Sequence, residues 1–116
     1  ILAVAGVVGM MGGQPLAAPP PVPANADLLL WCSSVYEGWS RALLQQRLKT
    51  RSRELATTAR RLEDRGIAAL DNAYAGADLE ALLARYAADY AASLGTSEPP
   101  RFDPARCQAL AALSGG

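Results

Sequence analysis

The chain of 116 residues has no histidine, only two cysteines, few aromatic side chains and, before Asp27, no charge of either sign. Lack of histidine removes the one side chain that titrates near neutral pH unaided, and with it the commonest general base and a usual zinc ligand. No Cys-x-x-Cys pair is present to run thiol exchange. No glycine-rich phosphate loop stands in the charged part of the chain, and no spaced ligand set marks a metal. Glu63 with Asp64, and Asp78 with Glu80, are the nearest approach to paired carboxylates, but adjacent and alternate helix positions point in different directions. Neither an enzyme nor a bound cofactor or metal is therefore expected. Eleven basic and eleven acidic side chains cancel, so the molecule lacks the overall basic field of a nucleic-acid-binding domain.

The uncharged stretch has its own organisation. Ile1 to Gly13 is continuously apolar, shorter than the roughly twenty residues that span a bilayer and close to the core of a signal peptide. Five prolines follow between positions 15 and 23 and favour extended chain. Ala24-Asn25-Ala26 then supplies a small-x-small cleavage pattern. The expectation is an export segment over 1–26, cut after Ala26, and a domain over 27–116 in the bacterial periplasm or outside the cell. The alternative is retention of 1–13 as an inner-membrane anchor, with the prolines as a spacer; membrane contact through this segment exists only in that case. Bulky Trp31 before Cys32 argues against a lipid-modified cysteine.

Export changes what Cys32 and Cys107 mean. In an oxidising compartment two thiols in a small domain pair, and only one intramolecular pairing exists. The bond closes nearly the whole domain into a loop, for which chain entropy predicts about 4.5 kcal/mol, a large part of the roughly 5–10 kcal/mol that holds a domain of this size.

Beyond Asp27 the composition is that of strong helix formers, and the expected fold is all-α: a small antiparallel bundle of three or four helices closed by the disulfide. Asp27 is the candidate cap of the first helix, whose inner stripe reads Leu28, Cys32, Val35, Trp39, Ala42 and Leu43. A polar stretch between Gln45 and Arg53, with Thr50 and Ser52 as possible caps, predicts a break, although Leu44, Leu48 and Leu55 keep helical spacing across it and leave one long helix open. The second stripe runs Leu55, Ala59, Leu62, Gly66, Ala69 and Ala73, with Gly66 either a point of close helix approach or a cap that ends the helix at Arg65. Gly76 and Asp78 predict the next turn. The third helix then carries Leu79, Leu82, Leu83, Tyr86, Tyr90 and Leu94 inward and stops at Gly95. After a loop over 96–101, Asp103 and Pro104 predict the start of a last helix, with Phe102 as a staple and Cys107, Leu110, Ala111 and Ser114 on its inner edge.

Two surfaces are candidates for binding. Arg47, Lys49, Arg51 and Arg53 form a basic patch for an anionic partner such as a phospholipid headgroup; nucleic acid is not expected, because no aromatic side chain interleaves these cations to stack a base. The plainer reading sets the basic segment 41–65 beside the acidic segment 66–98 as complementary surfaces that fix helix pairing. Trp31 and Tyr36 are candidate partner-facing aromatics, half-buried beside a core Trp39. In size and cysteine number the chain resembles small exported helical proteins with one disulfide, the acid-activated periplasmic chaperones among them. The functional expectation is an interaction or chaperone-like module whose partner is another protein of the bacterial envelope. The alternatives are a membrane-tethered accessory subunit and a small periplasmic enzyme inhibitor working through a rigid exposed loop such as 96–101. Oligomeric state is not legible in the residues.

Overall fold

The computed structural model describes residues 20–115. The apolar run 1–13 and the first part of the proline segment lie outside the described residues. Among the described residues the chain is all-helical: α1 spans Ala24–Gln45, α2 Lys49–Ala69, α3 Gly76–Ser93 and α4 Pro104–Gly115. The break expected near residues 45–53 is a tight turn over Gln46–Leu48, so α1 and α2 are separate helices.

α1 is the axis of the domain and packs against all three other helices. Its composition explains why. Every residue from Leu29 to Tyr36 is buried, more than two turns without an exposed side chain, and a helix apolar on all sides is stable only when surrounded. α2 runs antiparallel to it: Ser40 meets Ser52, Ser33 meets Ala59, and Leu30 meets Gly66. α3 runs parallel to α1, with Tyr86 beside Asp27 and Tyr90 against Gly38. α4 crosses α1 and α2 at the disulfide.

The α1–α2 interface is built from small residues. Ser40 Oγ donates to the Ser52 carbonyl and Ser52 Oγ to that of Ser40, both at 2.7 Å, while Ser33 Oγ donates to the Ala59 carbonyl at 2.9 Å. Each bond satisfies a buried hydroxyl, which left unpaired would cost about 1–3 kcal/mol. Ser52 is therefore an interface residue and not a cap. Gly66 lies inside α2, where an added Cβ would stand 2.6 Å from Leu30 Cδ2; of its two readings, close approach is the one realised.

Several boundaries differ from the expectations. α1 begins three residues before Asp27, whose side chain makes no cap and turns toward α3 and the 96–103 loop. The turn between α2 and α3 is made at Asp71 and Asn72, both at positive φ, and Gly76 at φ 54° opens α3; Asp78 does not cap it. Leu94, expected inside, is 68% exposed at the C-cap of α3. Trp31 and Tyr36 are corrected most: at 3% and 7% exposure they are core, while Trp39 is the half-buried one. A single-stripe reading assigns them to the rim, but α1 has neighbours all round.

At the start of α4 the local signals hold. The Asp103 carboxylate accepts from Ala105 N at 2.9 Å, and Phe102 packs against the core. Cys107 is wholly buried in a bond to Cys32. Val22 packs on the core, Tyr74 Oη donates to the Pro20 carbonyl, and Ala26 is wholly buried. The Ala24-Asn25-Ala26 stretch thus forms the first turn of α1.

Candidate functional site

Past Trp39 the α1–α2 pair stands alone. Tyr90 of α3 meets α1 at Gly38, and from Arg41 to Arg51 every side chain but half-buried Leu43 is exposed. The result is a projecting helical hairpin tip. Its turn is a Schellman motif: Leu48 N donates to the Leu43 carbonyl and Arg47 N to that of Leu44, both at 2.9 Å. The residue at the left-handed position is Arg47, at φ 65°. Glycine is the usual occupant there because a Cβ costs roughly 1–2 kcal/mol.

Three cations of the expected patch, Arg47, Lys49 and Arg51, lie on this tip; Arg53 follows just beyond it on α2, and Arg41 joins them from α1. Glu54 pairs with Arg51 at 3.1 Å and Glu37 with Arg41 at 3.8 Å. Among the described residues Arg47, Lys49 and Arg53 have no acidic partner. Between them stand Leu44 and Leu48, 53% and 49% exposed. Sequence reading took these leucines for a stripe continuing across the break. Their position inside the densest run of cations was the overlooked signal.

The expected complementarity of segments 41–65 and 66–98 is not what pairs the helices. α2 and α3 each pack on α1, and no ion pair among the described residues joins them. The basic tip therefore keeps its charge.

A second feature lies beside α4. Trp31, Val35, Trp39, Tyr90, Leu94, Pro100 and Phe102 surround a mainly apolar cleft of about 210 Å³. Burial pushes the Tyr90 hydroxyl above its ordinary pKa, and its ring meets Trp31 edge-on at 5.9 Å. Trp31 Nε1 is buried without an acceptor among the described residues. The loop over this cleft is held by Arg101, whose guanidinium pairs with Asp27 at 2.9 Å and lies 5.7 Å from both the Trp31 and Tyr86 ring centroids. Tyr86 Oη donates to the same Asp27 oxygen at 2.5 Å. Burial first, then that bond and the Asp27 charge, raise the Tyr86 pKa well above the usual tyrosine value. Sequence reading gave neither Asp27 nor Arg101 this role, because the partners are 59 and 74 residues apart.

Of the imagined carboxylate pairs, Glu63 has a perturbed environment. Burial first, then Glu37 and Asp64, hold it above the usual carboxylate range, and Arg60 opposes them. Among the described residues no group of three or more carboxylates or cysteines gathers to hold a metal ion, and no helix is long and apolar enough to cross a membrane. No family model matches the chain, and neither a curated protein nor a solved structure is similar to it.

Proposed function

We propose that this protein is a small non-enzymatic interaction module of the bacterial envelope, working in an oxidising compartment and presenting the α1–α2 hairpin tip to its partner. One observation carries the reading: exposed Leu44 and Leu48 sit among Arg47, Lys49 and Arg53, cations without acidic partners on a segment that no other helix covers. Left exposed, the two leucines contribute no burial energy to the free domain, and cations without acidic partners add self-repulsion. Such a surface is favourable once an anionic partner covers it. The buried disulfide accords with export, since such bonds persist in oxidising compartments. A photo-crosslinking residue at Leu48, compared with one at exposed Gln108 on α4, tests the reading in envelope extracts. Crosslinks concentrated at Leu48 are expected; equal labelling from both positions refutes it.

A second reading rests on the cleft. Its mainly apolar walls suit an extended apolar segment of an unfolded client, a holding role. Protection of an aggregating client, measured by light scattering and abolished by Leu94→Gln with Trp39→Gln, is the expected behaviour. Unchanged protection by that variant would remove the cleft from consideration.

A further inference from the structure

We infer that the α1–α2 tip docks on the surface of an anionic phospholipid bilayer, with Leu44 and Leu48 entering the headgroup boundary and Arg41, Arg47, Lys49, Arg51 and Arg53 meeting lipid phosphates. The inference deepens the interaction-module reading and rests on it. Size decides the class of partner. A standard protein interface takes about 20–30 residues from each side, whereas the projecting tip from Arg41 to Arg51 is eleven residues long and convex. A fluid lipid surface needs no shape complementarity; it asks for apolar side chains flanked by cations, the pattern of interfacial helices.

Charge points the same way. The five cations between residues 41 and 54 meet two acids, Glu54 beside Arg51 and Glu37 beside Arg41. Each cation held near an anionic bilayer strengthens binding by about fivefold, and two partly exposed leucines add apolar area that a purely electrostatic contact would not use. Nucleic acid fits poorly, since the tip holds no aromatic side chain to stack a base.

Arg47 supplies the second line. A left-handed residue closing a Schellman turn is better glycine for the fold, yet the residue at this apex is Arg47, which stands between Leu44 and Leu48 in the chain. Backbone strain kept at an exposed position is consistent with a function for the side chain. Replacing it should therefore separate stability from binding.

The test is sedimentation of the full chain with vesicles of mixed neutral and anionic phospholipid, against vesicles of neutral phospholipid alone. The native protein is expected to bind the anionic vesicles, more weakly as salt rises, and to leave the neutral ones. Leu44→Gln with Leu48→Gln, and separately Lys49→Gln with Arg53→Gln, should each lower the partition by on the order of tenfold. Arg47→Gly should weaken binding by about fivefold while its melting temperature equals or exceeds that of the native chain. Equal binding to both vesicle types, or variants that bind like the native protein, would overturn the inference. If Leu48 crosslinks to an envelope protein while no vesicle is bound, the lipid assignment falls and the module reading stands. If Leu48 gives no preferential crosslink and no vesicle is bound, both fall.

Discussion

The two sides of α1 are held in different ways. Toward α2 the contact is made by Ser33, Ser40, Ser52, Ala59 and Gly66, so the backbones come close and side-chain hydroxyls bond across to carbonyls. Toward α3 and α4 the contact is made by long side chains, Tyr86, Tyr90 and Leu82, and by two crosslinks: the Cys32–Cys107 bond and the Asp27–Arg101 pair. Close backbone packing needs no staple, because many small contacts are formed together. An interface of sparse long side chains buries less continuous surface, and a covalent bond compensates. The difference teaches why one small domain contains both a serine-rich seam and a disulfide.

The comparison predicts unequal responses. Replacing Cys32 and Cys107 together by serine should cost about 2–5 kcal/mol in a denaturant titration and release α4 first. Hydrogen exchange would then show α4 amides opening while the α1–α2 seam keeps its protection; simultaneous opening of both would break the distinction. Gly66→Ala comes next, at about 1–3 kcal/mol, since its Cβ would stand 2.6 Å from buried Leu30. Gly38→Ala presses equally close, 2.4 Å from a Tyr90 ring carbon. That ring is half-buried on the looser side and can move, so its cost should be smaller. A larger loss at Gly38 than at Gly66 would mean that the α3 side is the rigid one.

Ser52→Ala should cost about 1 kcal/mol by removing the hydroxyl that bonds the Ser40 carbonyl and contacts the Ser40 hydroxyl, and adding Ser40→Ala should cost less than the sum of the two single changes, because the pair acts as a unit. Strict additivity would show the two bonds to be independent. The smallest effect is at alkaline pH. Tyr86 has its pKa raised from the ordinary 10.0, by burial before all else. A raised folded-state pKa means that the unfolded chain loses this proton first, so the stabilisation is complete below about pH 10 and falls as pH rises beyond it. Unfolding midpoints taken between about pH 9 and pH 11 should decline, and less so in Tyr86→Phe. An identical decline in that variant would assign the slope to other groups.

Much of the scaffold was legible. Helix class followed from composition, the disulfide from a pair of cysteines with only each other to join, and the start of α4 from Asp103 and Pro104, a signal confined to neighbouring residues. Gly66 was legible as a close approach because it falls on an apolar stripe. What failed had a common cause. Trp31 and Tyr36 were placed on a rim by the periodicity of α1, which describes one helix and not how many helices surround it. Asp27 resembled a cap because its distant partners Tyr86 and Arg101 leave no local trace. The basic patch was visible as a run of cations, but its exposure depended on α3 ending short of the hairpin tip.

What the sequence determined by itself is local: which segments are helical, where Asp103 starts the last one, and which two sulfurs pair. These follow from backbone propensity, capping and the count of thiols, none of which needs a neighbour in space. Only the tertiary structure decided that α1 is enclosed from Leu29 to Tyr36, that Asp27 holds a tyrosine of α3 and an arginine of the loop after it, and that Leu44 and Leu48 remain outside. Burial is a property of the surrounding elements, and a side chain's own spacing along the chain cannot contain it.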